Sequence, residues 1–159
     1  FMKKLKILPV LILVLLALAV AGCNNGSEKG DLNLPEEIES AAVGIVEEGR
    51  YFAAAEVAEY IHTYKHLPPN YITKKEAIDR GWESNKGNLW EVTDEMSIGG
   101  DVFRNREKLL PVEDGRSWYE CDVNYNGGYR GGERLVYSSD GLIYQTSDHY
   151  KTFTEITFP

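Results

Sequence analysis

Hydrophobic and polar residues follow three different patterns along the chain, and these patterns divide it into three parts. Residues 7–21 form a continuous apolar block behind three lysines. From residue 52, apolar side chains recur at the i, i+4 and i+7 spacing of an amphipathic helix, at Val57, Ile61 and Tyr64. After residue 96, short runs alternate polar and apolar residues, as strands with one buried face do.

Two further helices are predicted between the first helix and the strands. Thr73 and Glu76 have the spacing of a capping box, so a second helix is expected to begin there, with Lys74 in its first turn. Asn88 is a candidate cap for a short third helix. Trp82 lies between these two helices in the sequence and is expected in the core.

The strand-forming runs occupy residues 97–103, 116–125, 133–139, 142–147 and 152–156, and Gly-Gly or Ser-Asp-Gly turns interrupt them. On the second run, Glu120 would share a face with Trp118 and Asp122, whereas Tyr119 and Cys121 would point the other way. Helices come first and adjacent strands follow. This order predicts an α+β fold, with N-terminal helices packed on a C-terminal antiparallel β-sheet.

The apolar block indicates export. A short basic start followed by such a block is typical of a signal peptide, and the block is short for a membrane span. It ends at Val20-Ala21-Gly22-Cys23, which resembles the lipobox of bacterial lipoproteins, whose cysteine is diacylated and becomes the mature N-terminus. An ordinary secretory signal with a chance cysteine is the alternative. The lipobox predicts anchoring at the bacterial cell surface through Cys23, with release to the medium as a variant.

We therefore predict a signal peptide over residues 1–22, a lipidated cysteine and acidic linker over 23–50, and a folded domain over 51–159. Pro35 and the acidic residues after it predict a short helix to about Glu48 within the linker. If Cys23 is lipidated, only Cys121 remains, so no intramolecular disulfide can form. Cys121 is expected as a small buried hydrophobe rather than a nucleophile.

Net charge restricts the ligands that this chain can attract. The whole chain carries −8, and residues 51–159 carry −6, from 12 lysines and arginines against 18 acidic residues. Such a domain gains no global attraction toward a polyanion, so affinity for nucleic acid would have to come from a local basic cluster. The sequence has no CxxC, HExxH, GxSxG or P-loop motif, and its histidines lack other ligands at useful spacing, so we expect neither metal nor cofactor.

Chemistry-bearing residues recur in the strand region, at Glu120, Arg130, Arg134 and His149. A carboxylate, an imidazole and two guanidiniums on one sheet face can form a phosphate-handling site. Lys74 would add a cation at a helix start, and Asp122 is expected to orient the arginines. Each residue has a structural alternative, namely an ion pair for Glu120 with Arg130, a turn residue for His149 and a solvated surface lysine for Lys74.

Four long segments carry a resemblance to a known family: LPPNYITKKEAIDRGWESNKGNL at 67–89, SIGGDVFRNRE at 97–107, GRSWYECDVNY at 115–125 and YRGGERLVYSSDGLIYQTSDHYKTF at 129–153. Together they resemble the barnase-like guanyl-specific ribonucleases. The resemblance spans about residues 51–157 and excludes the signal and linker. It implies the microbial ribonuclease fold and an endoribonuclease that cleaves single-stranded RNA after guanine, without metal, through a 2′,3′-cyclic phosphate that is then hydrolysed.

The resemblance also implies a role for each site residue. Glu120 would be the general base and His149 the general acid. The other implied residues are the cations around the scissile phosphate, Lys74, Arg130 and Arg134; the guanine-reading loop, Phe103, Arg104, Asn105, Arg106 and Glu107; and an aromatic residue beside the site, Tyr150. The implied partners are single-stranded RNA and a barstar-like protein inhibitor. The protein is expected to be a monomer held at the membrane by its lipid.

The sequence departs from that family in three places that concern base preference, helix capping and surface charge. Arg104 stands where a small serine is expected in the base-reading loop, and Ala53 stands where the first helix is expected to have a threonine cap. The acidic surface also differs from a usually basic family. The acidic surface bears on RNA binding rather than on the bond-breaking step. A separate alternative is a catalytically weak or inactive membrane-tethered module that binds RNA or an inhibitor.

Overall fold

The computed structural model describes residues 44–159, in which helices precede strands along the chain. Its elements are α1 (Ala54–Tyr64), β1 (Tyr71–Ile72), α2 (Lys74–Asp79), α3 (Leu89–Val92), β2 (Ser97–Phe103), β3 (Trp118–Asp122), β4 (Arg134–Ser138), β5 (Ile143–Thr146) and β6 (Thr154–Glu155). The strands form one six-stranded sheet in the order β1 to β6. The first pair is parallel and the others are antiparallel. The predicted α+β fold is confirmed.

The predictions for the signal at 1–22, for lipidation of Cys23 and for most of the linker lie outside the described residues. Residues 44–50 lie against α1, where Tyr60 Oη donates to the carbonyl of Glu47 at 2.6 Å and Tyr64 Oη donates to that of Ile45 at 3.0 Å. The expected helix to about Glu48 is wrong for residues 44–48, which contain no helix and end in a turn at residues 47–48. No helix within 44–159 is long and apolar enough to cross a membrane.

Helix α1 lacks the side-chain cap that would usually start it, because Ala53 occupies the N-cap position. Asn124, which follows β3, partly replaces that cap, since its Oδ1 accepts from the backbone N–H of Ala54 at 3.1 Å. The helix ends at Lys65, whose left-handed φ of 64° lets its N–H bond the carbonyl of Ile61. The first helix is thus tied to the end of a strand far away in sequence.

The predicted capping box of α2 is confirmed. Thr73 Oγ1 accepts from the N–H of Glu76 at 3.2 Å, and Glu76 Oε2 accepts from the N–H of Thr73 at 2.8 Å. The expected cap of α3 is wrong, because Asn88 makes no side-chain cap. Its side chain instead braces the preceding turn, with Oδ1 accepting from Glu83 N–H and Nδ2 donating to the carbonyl of Gly81.

The two sheet faces bury different residues, as the alternation in β3 predicts. One face packs against α1 in a cluster of Val57, Ala58, Ile61, Cys121, Val123, Leu135 and Ile143. On the other face, Trp118 and Val136 pack with Leu110. Burial raises the pKa of the Cys121 thiol far above its usual range, which suits the buried hydrophobe that the sequence predicts. The second face also carries Glu120.

A bulge in β2 sets what lies opposite Glu120. Gly99 pairs with Cys121 and Asp101 pairs with Glu120, so the register shifts by one residue at Gly100. A Cβ on Gly99 would stand 2.6 Å from the Cβ of Cys121, and Gly100 has a φ of 91°. Glycine is therefore required at Gly99 for space and favoured at Gly100 for conformation. The bulge brings Asp101 toward the start of α2.

Candidate active site

Glu120 lies at the centre of β3 and forms the centre of the site. It is only 8% exposed, and it lies on the face of the sheet away from α1. Lys74 Nζ donates a hydrogen bond to Glu120 Oε1. The backbone of Glu120 pairs with a strand on each side, opposite Asp101 in β2 and Val136 in β4. The sheet therefore fixes the direction of this carboxylate.

Lys74 is the first residue of α2, and its position follows from the capping box. Its backbone N–H donates to Asp101 Oδ2 at 2.9 Å, so the bulged strand β2 anchors the helix start. The Lys74 side chain is 39% exposed and reaches across to Glu120. The ion pair thus joins a helix start to the middle of the sheet, and leaves part of the ammonium group accessible.

Asp122 holds both arginines, as the sequence predicts. Arg130 Nη2 donates to Asp122 Oδ1 at 2.6 Å, and Arg130 Nε donates to Oδ2. Arg134 Nε lies 2.8 Å from the same Oδ1, close enough for an ion pair but not aligned as a hydrogen bond. Arg134 Nη1 donates to the carbonyls of Gly131 and Glu133 at 2.9 and 2.7 Å. The two guanidiniums are therefore fixed side by side.

The two arginines differ in burial. Arg134 is 4% exposed, whereas Arg130 is partly buried with its guanidinium 5.6 Å from the ring centre of Trp82. Burial lowers the pKa of Arg130, but its hydrogen bonds to Asp122 outweigh burial and raise that pKa overall. Arg130 is thus the more accessible of the two fixed cations.

His149 lies on the loop after β5, and that loop is built around Asp148. The Asp148 carboxylate accepts from the hydroxyls of Thr146 and Thr152 at 2.9 and 2.7 Å and from the N–H groups of Lys151 and Thr152 at 2.9 and 3.0 Å. These bonds hold the pKa of Asp148 well below its usual range. His149 is exposed and has a left-handed φ of 58°. The loop therefore presents the imidazole to solvent.

Tyr150 links the loop that carries His149 to the loop of residues 103–107. Its ring stacks on Phe103 with centroids 5.3 Å apart, and its N–H donates to Thr146 Oγ1 at 3.0 Å. Burial raises the pKa of its hydroxyl, the neighbouring carboxylate of Glu120 raises it further, and Arg134 lowers it.

The loop of residues 103–107 leaves β2 at Phe103 and is braced by Asn105. Asn105 Nδ2 donates to the carbonyl of Leu110 at 2.8 Å, and Asn105 Oδ1 accepts from the Leu110 N–H at 3.1 Å. The side chain of Asn105 is thus engaged within the loop. Those of Arg104, Arg106 and Glu107 are exposed.

The structure brings most of the sequence-predicted residues together. Lys74, Glu120, Tyr150 and the paired arginines converge on one face. His149 lies on the loop that carries Tyr150, and the loop of residues 103–107 joins them through Phe103. Sequence reasoning missed Asp101 and Asp148. A threonine four residues after Asp148, in DHYKT, is a recognisable signal for a side-chain-capped turn. Asp101 has no comparable signal, because its position depends on the bulge.

This arrangement can do acid–base chemistry on a phosphate ester. A carboxylate and an imidazole can act as base and acid, while neighbouring guanidiniums bind phosphoryl oxygens. The fixed arginines and the Lys74 ammonium group supply positive charge where an anionic transition state would form.

Comparison with known proteins also points to chemistry on a phosphate ester. A family model described as ribonuclease matches residues 54–157. The chain is 60% identical over 100 residues to ribonucleases of Bacillus intermedius and of Bacillus pumilus, which covers 63% of this chain and 62% of each relative. It is 59% identical over 100 residues to a ribonuclease of Heyndrickxia coagulans, covering 63% of this chain and 92% of that relative. The match thus spans under two thirds of the length of the two Bacillus relatives.

Proposed function

The chain belongs to the ribonuclease family, and from this premise we propose that it is an endoribonuclease that cleaves single-stranded RNA, preferentially after guanine. One observation carries the proposal. Glu120 lies in contact with Lys74 on the open face of the sheet, beside two arginines fixed by Asp122. Removal of a proton from a ribose hydroxyl requires a carboxylate placed next to the groups that bind the phosphate, as Glu120 is.

In the proposed first step, RNA supplies its own nucleophile. Glu120 takes the proton from the ribose 2′-hydroxyl, and the 2′-oxygen forms a bond to phosphorus. The bond between phosphorus and the 5′-oxygen breaks, and His149 gives its proton to that oxygen. The product is a 2′,3′-cyclic phosphate. Base and acid each contribute typically ~10²–10⁴-fold.

The second step hydrolyses the cyclic phosphate with the roles exchanged. His149, now neutral, takes a proton from water, whose oxygen attacks phosphorus. Glu120, now protonated, returns its proton to the departing 2′-oxygen. Lys74, Arg130 and Arg134 stabilise the added negative charge in both steps. DNA has no 2′-hydroxyl, so it would be bound without being cut.

Guanine preference is the finer part of the proposal. The exposed carboxylate of Glu107 can accept from the N–H groups on the guanine edge, a pattern that adenine does not offer. The stack of Phe103 on Tyr150 places an aromatic surface between this loop and the catalytic face. Arg104 adds a charge in the same loop, so the strictness of base choice depends on where that guanidinium binds.

A dinucleotide series tests activity and base choice together. The full chain is incubated with GpA, ApA, CpA and UpA in the presence of a chelator, and the appearance of cyclic phosphate is followed. We expect GpA to be cut fastest, with the chelator having no effect. A chain that binds guanosine monophosphate yet leaves all four substrates intact from about pH 5 to 9 would favour a binding module instead.

Location and partners belong to the same proposal. We propose that Cys23 is diacylated and holds the monomeric enzyme at the bacterial cell surface, where two acyl chains anchor far more firmly than one. Replacement Cys23→Ser should move the protein out of the membrane fraction, and retention there would contradict the anchor. A barstar-like inhibitor is the proposed protein partner, and inhibition of GpA cleavage by such a protein is its test.

A further inference from the structure

We propose that a cationic cleft beside the base-reading loop binds the phosphate on the 5′ side of the guanosine whose 3′-phosphate is cut. The inference rests on the proposed ribonuclease function and extends its substrate by one phosphate. The cleft has a volume of about 260 Å³ and lies between the loop and the segment that leads into β3. Its lining includes Arg104, Asn105, Lys108, Glu113, Arg116 and Trp118.

Two cations in this cleft form no ion pair within the part of the chain that the structure describes. Arg104 and Lys108 are exposed, and neither makes an ion pair with any residue in 44–159. Two such cations on one short loop form a local basic cluster in a domain whose net charge is −6. Binding of a polyanion by an acidic domain requires such a cluster.

Arg116 forms the fixed wall of the cleft. Its guanidinium donates to both carboxylate oxygens of Asp140 at 2.6 to 2.9 Å and to the carbonyl of Pro111 at 3.1 Å. It also lies 5.8 Å from the ring centre of Trp118. Because Asp140 neutralises Arg116, the free positive charge of the cleft comes from Arg104 and Lys108.

The position of the cleft indicates which phosphate it would bind. Trp118 precedes Glu120 by two residues on the same face of β3, so it lies roughly 6–7 Å along the strand from the catalytic carboxylate. The scissile phosphate, on the 3′ side of the guanosine, belongs at Glu120 and Lys74. If the loop of residues 103–107 binds the guanine base, the 3′-phosphate of that nucleotide lies at Glu120. Its 5′-phosphate is then directed the other way, toward the cleft at Trp118.

The backbone of the loop that carries these cations is ordered before any ligand arrives. Asn105 and Lys108 both have left-handed backbone conformations, with φ of 43° and 53°, and Lys108 N–H donates to the carbonyl of Asn105 at 3.0 Å. Little further backbone ordering is needed on binding, which favours affinity. Glu113 on the rim opposes an anion, so its removal should strengthen binding.

A binding experiment separates this inference from the catalytic proposal. Dissociation constants of the full chain are measured by calorimetry for guanosine 3′-monophosphate and for guanosine 3′,5′-bisphosphate. We expect the bisphosphate to bind about twofold to fivefold more tightly, as exposed charge contacts allow. Lys108→Gln should remove most of that difference, and Glu113→Gln should enlarge it. Arg80→Gln, which removes an exposed charge elsewhere, should leave it unchanged.

The outcomes are decisive in either direction. Equal affinity for the two nucleotides, or a preference that Lys108→Gln leaves intact, overturns the cleft even if the chain cuts GpA. A bisphosphate preference that Lys108→Gln removes supports the cleft even if no RNA is cut, and then only the catalytic proposal fails. With an active chain, the same preference should appear as a higher kcat/KM for pGpA than for GpA, and should weaken as salt rises.

Discussion

The ammonium group of Lys74 donates a hydrogen bond to the carboxylate of Glu120, and this contact joins the first turn of α2 to the middle of β3. The backbone N–H of Lys74 is fixed in turn on Asp101. The backbone of the lysine is therefore anchored on the bulged strand β2, and its side chain is anchored on the middle of β3. Such double anchoring places a cation and a carboxylate side by side without help from a ligand, which is the preorganisation that catalysis needs.

Replacing Glu120 by glutamine should nearly abolish turnover. Glutamine keeps the shape of the side chain but cannot take a proton, so kcat for GpA is expected to fall by about 10²–10⁴-fold. Initial rates of cyclic-phosphate formation measure the effect. Glu59→Gln, on the exposed face of α1, is the matched control and should keep full activity. A kcat for Glu120→Gln within tenfold of the original would mean that another group is the base.

Replacing His149 by glutamine should stop cleavage of GpA and leave the thermal midpoint unchanged. The imidazole is exposed and makes no hydrogen bond within residues 44–159, so its loss removes little stability. A guanosine 3′-phosphate ester with a nitrophenol leaving group needs no protonation to depart. The variant should therefore retain most of its rate on that ester, and an equal loss on both substrates would contradict the role of His149 as acid.

Replacing Asp122 by asparagine should destabilise the fold strongly. Asp122 is 2% exposed and contacts both Arg130 and Arg134. Removing its charge leaves a buried guanidinium without compensation, and such losses cost about 3–5 kcal/mol. Urea denaturation gives the change in the free energy of unfolding. A change close to zero would show that the backbone carbonyls around Arg134 suffice to hold it.

How much of this site could be predicted depends on the distance along the chain over which each contact acts. The capping box of α2 and the alternation in β3 are local, so the sequence predicts Thr73, Lys74 and Glu120 in their observed places. Asp122 also shares a face with Glu120 by alternation alone. Local rules thus predict most of the catalytic face, and resemblance to a family supplies the proposed roles.

The parts that could not be predicted depend on long-range packing. The two-residue strand β1 is too short to show a pattern, and it exists because Tyr71 and Ile72 pair with β2. The replacement cap from Asn124 on Ala54 joins positions 70 residues apart in sequence. The bulge at Gly100 could be suspected from two consecutive glycines, but its effect on Asp101 requires the register with β3.

Acid should remove the contribution of the pair between Arg116 and Asp140. Hydrogen bonds from Arg116, and then from Ser138, lower the pKa of Asp140 from 3.8 to about 2. Because the folded-state pKa is depressed, the stabilisation is complete above about pH 4 and is lost as pH falls toward about 2. Urea midpoints of the original protein and of Asp140→Asn should therefore differ at pH 7 and converge in this range. A constant difference across it would contradict the assignment.

Asp148 fixes the shape of the loop that carries His149. Its carboxylate accepts four hydrogen bonds and so holds His149 and Tyr150 in left-handed backbone conformations, with φ of 58° and 69°. Asparagine at this position keeps an accepting oxygen but loses the negative charge that strengthens all four hydrogen bonds. Asp148→Asn should therefore let the imidazole move away from its working position.

Small displacements of a catalytic group can cost up to about 100-fold in rate, so we expect kcat for GpA to fall roughly tenfold or more in Asp148→Asn. The KM for GpA should change less than kcat, because the hydrogen bonds of Asp148 go to Thr146, Lys151 and Thr152 rather than to the loop of residues 103–107 or to the arginines. The nitrophenyl ester, which needs no acid, should be cleaved at nearly the original rate. That contrast separates misplacement of His149 from general damage, since a loosened fold would slow both substrates alike.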